Sequence, residues 1–306
     1  MGWFGWLRGR GNRARANATT LAQSHNAAKV AVQGREYLTT APYFLPKDEE
    51  EVNRLDFQHY LFRFALRGNY AAPIQTPASI LDVGTGTGRW AMEMAALFPL
   101  ANVVGLDVVP PPADENASLG HGLDRRPDNY IYIQGNVLDG LPFPDASFDF
   151  VHQRLLVAAL PEARWPGVVA ELLRVTRPGG WVELLEAIPT KGGPGMNALY
   201  EWLVAVGLRR GVNTLVTPHI ADFLRAAGAQ SVVARDLPMA MGKWGGRAGI
   251  MMETNYFALH KGLEAMMEQQ GITTARAFEE AMAAARQEIA QGQYIWPYFL
   301  AYGQRP

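Results

Sequence analysis

Apolar and polar positions divide the chain into stretches of different period. Residues 48–68, DEEEVNRLDFQHYLFRFALRG, place acids in a first turn, an apolar face from Val52, Leu55, Phe57, Leu61, Phe62 and Leu66 behind them, and Gly68 at the end, which predicts a helix. From residue 79 the pattern changes. SILDV, NVVGLDVV, YIYIQGNV, FDFVH and WVELLE are short apolar runs that read as strands. RWAMEMAALF, stopped by Pro99, and PEARWPGVVAELLRVTRPGG carry helical spacing between them. This alternation over residues 79–186 predicts a parallel sheet covered by helices on both faces. Further on, PGMNALYEWLVAVGLRRG reads as a helix. TPHIADFLRAAG reads as another, with Thr217 as N-cap, Pro218 at its first position and Gly228 past its end. QSVVARDL predicts a sixth strand, two helices fill about 249–291, and QYIWPYFLAYGQRP predicts the last strand.

Composition narrows the function classes. A chain of 306 residues with 48 % apolar content can bury a full core in one large α/β domain or two modest ones. The formal charge of −1, from 28 basic and 29 acidic residues, offers no basic field for a nucleic acid. The absence of cysteine removes disulfides, thiolate zinc sites and cysteine nucleophiles, and fits a reducing, cytoplasmic setting. No apolar run reaches the roughly 18 residues of a membrane helix, so no stable membrane insertion is expected. The opening MGWFGWLRGRGNRARA lacks the charge order and apolar length of a signal peptide, and Trp6 stands where myristoylation expects Ser or Thr. It reads as a mobile basic tail, with Trp3, Phe4 and Trp6 available for weak contact with a membrane surface.

The chemistry concentrates in ILDVGTGTGRW, residues 80–90. A Gly-rich turn after a strand lets the backbone bend sharply and approach a ligand, and the helix behind it offers free N–H groups. The turn falls where open parallel sheets bind ligands, beyond the carboxyl ends of their strands. Residues 86–91 match G-x-G-x-x-A, and Asp107, at the end of the second strand, is an acid able to bind ribose hydroxyls. Both signals suit a dinucleotide as well as other adenosyl cofactors.

Three features separate the two. Asp82 lies two residues before the first glycine, where a dinucleotide site carries an apolar residue. GNVLDGLPFPDASFDFVH and LLRVTRPGGWVELLE follow in fixed order and spacing. Together with DVGTGTG and the acid at the second strand's tip, these blocks resemble the class I S-adenosylmethionine-dependent methyltransferases over roughly residues 78–190. A weaker likeness, carried by YFLPKDEEEVNRLDFQHYLFRFAL, FDFVHQRLLVAAL, PMAMGKWGGRAG and YGQRP, resembles the subfamily of fungal secondary-metabolism regulators and their bacterial relatives.

The resemblance implies a Rossmann-like, doubly wound sheet of seven strands, mostly parallel with the last antiparallel. It implies a tail and helical lid over residues 1–77, a methyltransferase domain over 78–306, and a substrate-cap insertion at about 190–290. Gly84, Thr85, Gly86 and Gly88 would wrap the methionine moiety and ribose, Asp82 would face the ammonium group, and Asp107 would accept from both ribose hydroxyls. Asn136 stands where many relatives have Asp; its amide oxygen can accept from the adenine amino group, or it simply forms a turn. Val108 and Val137 would flank the adenine. Gln58, His59 and Arg54, on the early helix, could reach the methionine carboxylate or the acceptor.

His152, at the end of the fourth strand, is the candidate general base, with a pocket-lining role as the alternative. His59 is a second catalytic candidate, and Gln153, Arg154, Glu186 and Trp244 are candidate acceptor contacts. Glu183 reads as structural, and His219, His260, His25 and His121 as non-catalytic. No metal-ligand grouping stands at the ends of strands four and five, so metal-independent chemistry is expected. LPMAMGKWGGRAG, with glycines and flexible methionines, suits an adaptable apolar pocket. These residues predict methyl transfer from S-adenosylmethionine to a small, largely apolar or aromatic molecule, most readily at oxygen, in secondary metabolism. A regulatory methyltransferase acting on protein, or a protein that keeps the cofactor without methyl transfer, stands as the alternative.

Overall fold

The computed structural model describes residues 28–39, 41–110 and 126–306. The tail with Trp3, Phe4 and Trp6, and the loop histidines His25 and His121, lie outside the described residues. In chain order the elements are β1 (Lys29–Val32), β2 (Arg35–Leu38), α1 (Glu49–Leu66), β3 (Ser79–Val83), α2 (Arg89–Leu97), β4 (Asn102–Asp107), β5 (Tyr130–Gln134), β6 (Phe148–Arg154), α3 (Trp165–Val175), β7 (Thr176–Ala187), α4 (Pro194–Arg209), α5 (Ile220–Ala226), β8 (Gln230–Met241), α6 (Gly246–Gln269), α7 (Ala275–Gln291) and β9 (Tyr294–Gln304).

The predicted seven-stranded sheet is present, in the order β5-β4-β3-β6-β7-β9-β8. Strands β3 to β7 pair in parallel, and β9 runs antiparallel to both neighbours. The chain leaves β3 toward β4 and β5, then returns to the other side of β3 for β6. That reversal opens a crevice at the carboxyl ends of β3 and β6. The strands bury both faces, as their continuous apolar runs require: Leu81 and Val83 pack with α3 on one side, while Ile80 and Phe150 pack with α2 on the other.

A third apolar cluster lies outside the sheet proper. It joins the β1–β2 hairpin and α1 to α4, α6, α7 and the ends of β8 and β9. The stretch expected as a single cap insertion is therefore split: α4, α6 and α7 join the N-terminal elements, whereas α5 packs with α3 against the sheet.

Local details depart from the sequence pattern in instructive ways. The β1–β2 hairpin is not among the expected elements; in it Tyr37 is fully buried and donates from its hydroxyl to Gly262 O at 2.7 Å. Helix α1 ends through Arg67 in the left-handed region at φ 55°, one residue before the expected Gly68. Its buried stripe is Glu51, Arg54, Gln58, His59, Leu61 and Phe62, more polar than the predicted apolar face. Thr217 does not cap a helix. A 3₁₀ turn over Thr214–His219, capped by Asn213, precedes α5, and Thr217 Oγ1 donates instead to Ala187 O at 2.8 Å. Strand β8 runs on through PMAM to Met241, so the expected loop shortens to the glycine-bracketed turn Lys243–Gly245.

Candidate active site

The site begins with strand register. Parallel pairing of β3 with β6 sets Asp82 beside His152, and both side chains are buried. Asp82 Oδ1 lies 2.8 Å from His152 Nδ1, and Asp82 Oδ2 accepts from Thr85 Oγ1 at 2.7 Å. A carboxylate only accepts, so His152 Nδ1 carries the proton of this bond, and the lone pair of the neutral ring is left on Nε2. The imidazole stacks on Trp90, with centroids 3.8 Å apart and planes 6° from parallel. Trp90 is itself held by its indole N–H donating to Asn69 O at 2.6 Å. The imidazole singled out in the sequence is thus held at Nδ1 and in plane.

The glycines of the turn have different tasks. Gly86 adopts φ +56°, and a Cβ built there would meet nothing nearer than Leu55 Cδ1 at 3.9 Å, so its bareness faces open space. Gly84, at φ +72°, is bare because the Leu156 side chain fills the position: an added Cβ would fall 2.5 Å from Leu156 Cδ2. At Gly88 the neighbour is the Tyr130 hydroxyl. Behind the turn, α2 begins without a side-chain cap, leaving its first N–H groups available.

Around this turn lies a cleft with about 1030 Å³ of empty space, counted out to its open mouth. Asp82, Gly84, Thr85, Gly86, Asp107, Val108, Asn136, Val137, Gln58, His59, His152 and Arg154 all line it. Gly88 does not, and serves the turn instead. Asp107 Oδ2 accepts from Gly86 N at 2.8 Å and Oδ1 from Val109 N at 3.1 Å, while Lys47 Nζ stands 3.9 Å from Oδ1. Asn136 does form a turn: its Oδ1 accepts from Leu138 N at 3.0 Å.

Two guanidinium groups edge the cleft. Arg89 is buried, with Nε and Nη1 unpartnered among the described residues, and only Nη2 nears Asp56, at 3.5 Å. Arg154 pairs with no carboxylate among the described residues; it meets His59 Nδ1 at 3.4 Å and the Phe62 ring at 5.3 Å. Burial lowers its pKa from the usual arginine value. His59 is held between Arg154 and Glu93, whose Oε2 lies 3.2 Å from Nε2, and burial pushes its pKa down to about 4. His59 Nδ1 faces the Arg154 guanidinium and Nε2 lies beside the Glu93 carboxylate, so His59 stands on the cleft wall between the two charges.

Three of the expected acceptor contacts are placed elsewhere. Glu186 and Gln153 are fully buried and do not line this cleft. Glu186 accepts from Leu156 N at 3.1 Å and Val157 N at 2.9 Å, and so anchors the loop after β6. Burial raises its pKa to about 8. Trp244 is 44 % exposed on the turn after β8, away from the cleft. Glu183 accepts from Ala71 N and Ala72 N, a structural role. Sequence reasoning missed Tyr43 and Lys47, which follow β2 across the cleft, and the loop Leu155–Leu160 beneath it. It also missed the Asp82–His152 pair, which becomes visible once the first and fourth strands of the alternation are set side by side.

The donor set fits S-adenosylmethionine. An acid stands at the tip of β4 for ribose, apolar walls from Val108 and Val137 suit adenine, and the orphaned nitrogens of Arg89 call for an anionic group such as the methionine carboxylate. Among the described residues no three His, Asp or Glu side chains gather as metal ligands, and no helix is long and apolar enough to cross a membrane.

A family profile described as "Methyltransferase domain" matches residues 80–180. The match covers about a third of the chain and takes in the strands and the glycine turn that build the cleft. Three fungal proteins are among the relatives. "Methyltransferase str2" of Strobilurus tenacellus is 34 % identical over 59 % of this chain and 60 % of its own length. "N-methyltransferase tcpN" of Claviceps purpurea is 29 % identical over 85 % of this chain and 95 % of its own. "Secondary metabolism regulator laeA" of Aspergillus fumisynnematus is 35 % identical over 47 % of this chain and 36 % of its own. The chain thus spans under two thirds of str2 and laeA, and nearly all of tcpN.

Proposed function

We propose that the chain methylates a hydroxyl group on a small, largely apolar or aromatic molecule in secondary metabolism. The observation that carries this reading is the Asp82–His152 pair at the neighbouring strand tips. A buried imidazole on the cleft wall, oriented through Nδ1 by a carboxylate, is what an acceptor that must lose a proton requires.

S-adenosylmethionine, when bound, supplies a methyl group on a positively charged sulfur that is open to in-line displacement. Gly86 admits it by leaving the turn bare, Asp107 takes the ribose hydroxyls, and Arg89 with Arg154 faces the carboxylate. His152 Nε2 would take the proton of the acceptor hydroxyl as that oxygen receives the methyl group, and Asp82 would stabilise the imidazolium that results. Water exclusion falls to Tyr43 and the strap it belongs to.

The test is release of S-adenosylhomocysteine with a panel of naphthols and phenols. His152→Ala should lower turnover on a hydroxyl acceptor by about 10²-fold while changing S-adenosylhomocysteine affinity by less than about 3-fold. An unchanged rate would remove the base from the mechanism. The name of tcpN favours a second reading, a nitrogen acceptor. A neutral amine attacks before it loses a proton, so turnover on anilines that survives His152→Ala would select that reading.

A further inference from the structure

Beside the cofactor cleft lies a second chamber, with about 600 Å³ of empty space counted to its mouth. Tyr43, Leu55, Gln58 and Leu155 line both spaces, so these four side chains form the partition between them. The remaining wall comes from segments far apart in sequence, among them Phe44, Leu203, Leu259 and Tyr298, and it is mostly apolar.

The chamber's charge is already settled. Its one cationic wall residue, Arg54, gives Nε and Nη2 to the two oxygens of Glu51 at 2.7 and 2.6 Å, and Nη1 to Asn255 Oδ1 at 3.0 Å. No carboxylate lines the wall. A charged occupant would lose its hydration and find no counter-ion. Two wall residues nevertheless carry buried polar atoms without a hydrogen-bond partner among the described residues: the indole N–H of Trp296, a side chain 3 % exposed, and the hydroxyl of Thr214, 4 % exposed. Buried donors of this kind are costly unless a partner is supplied. The Trp296 ring stacks at 19° on Tyr298, which presents flat aromatic surface on the same wall.

We infer that this chamber is the acceptor subsite, and that it takes a neutral aromatic molecule whose carbonyl-type oxygen accepts from the Trp296 indole N–H. Its reactive end then passes the partition between Tyr43 and Leu155 toward His152. The inference depends on the methyl-transfer reading only for naming the occupant as the acceptor; the selectivity of the chamber is a separate property.

That selectivity is measurable by calorimetric titration of the full chain, with and without S-adenosylhomocysteine, using three probes of one shape: 2-acetylnaphthalene, 2-isopropenylnaphthalene and 2-naphthoate. The ketone should bind about 10-fold more tightly than the alkene, the worth of one buried neutral hydrogen bond, and the anion at least 10-fold more weakly than the ketone. In ¹⁵N-labelled protein the Trp296 indole resonance should move with the ketone and hold still with the alkene. Trp296→Phe should erase the preference; if that variant does not fold, the wild-type ratio and the indole resonance decide. Equal binding of ketone and alkene, naphthoate binding as tight as the ketone, or binding of none of the three overturns the inference. Failure of both the naphthols and the anilines to release S-adenosylhomocysteine overturns the methyl-transfer reading and leaves these binding ratios untouched.

Discussion

The cofactor cleft and the chamber beside it are built on opposite plans. The cleft is made of backbone and strand tips: a bare turn after β3, an acid closing β4, and an Asp–His pair set by the register of β3 and β6. The chamber is made of side chains from segments as distant as Phe44, Val157, Thr214, Leu259 and Trp296. A site built from local backbone is robust, because its geometry follows from secondary structure alone. A site built from converging side chains depends on how the outer helices pack, and so varies readily between relatives with one cofactor and different acceptors.

Acid should separate the two regions most strongly. His59 and His260 are both buried, and burial lowers each pKa to about 4. A histidine whose folded pKa lies below its unfolded value near 6.5 contributes stability that is complete above pH 6.5 and is lost as pH falls toward 4. At most this amounts to about 3 kcal/mol for each ring. Both lie in the outer helices α1 and α6, and His260 packs against Tyr256, 4.3 Å between centroids, close to Trp296. Hydrogen exchange between pH 7 and 4.5 should therefore show α1 and α6 losing protection before β3, β4 and β6. Replacing both rings by Gln should flatten the acid slope of the melting temperature; an unchanged slope would break the comparison.

The same contrast explains what the sequence disclosed. The strands, the glycine turn and Asp107 were readable because each is announced within about ten residues by period, turn chemistry or position. On helix α1 the sequence marked Arg54, Gln58 and His59 as facing the cofactor or the acceptor, and Gln58 and His59 do line the cleft, but nothing local announced that Arg54 would be bound inward to Glu51. Asn255, 201 residues from Arg54, is the partner that makes the polar stripe of α1 an interior one. Glu186 and Gln153 were assigned to the acceptor because they lie near strand tips, yet Glu186 holds the Leu156–Val157 backbone and Gln153 Nε2 donates to Glu186. Trp244 drew notice as an aromatic among glycines, and those glycines turn the chain out to the surface.

Asp107→Ala is the next largest effect, and it tests the backbone-built side alone. The carboxylate holds Gly86 N and Val109 N now, and in the proposed complex also meets the ribose. Losing charge-assisted bonds of this kind should weaken S-adenosylhomocysteine binding by about 10²-fold, measured by titration. The affinity of 2-acetylnaphthalene should stay within about 2-fold, since Asp107 does not line the chamber. A loss below about 3-fold for the nucleoside would place its anchor elsewhere.

The smallest effects come from two neighbouring glycines, and they divide the regions most finely. Gly86→Ala has room for its methyl group but must hold φ +56°, which costs an L-residue about 1 kcal/mol of stability. Its methyl group stands in the cleft, so nucleoside affinity should fall while binding in the chamber does not. Gly84→Ala bears the same backbone cost and also strikes Leu156, 2.5 Å away, in the loop that supplies Leu155 to the partition and Val157 to the chamber. It should therefore lose about 2 kcal/mol or more in thermal unfolding and disturb ketone binding together with nucleoside binding. If the two variants behaved alike in both titrations, the turn would be one undivided surface and the distinction between the two glycines would fall.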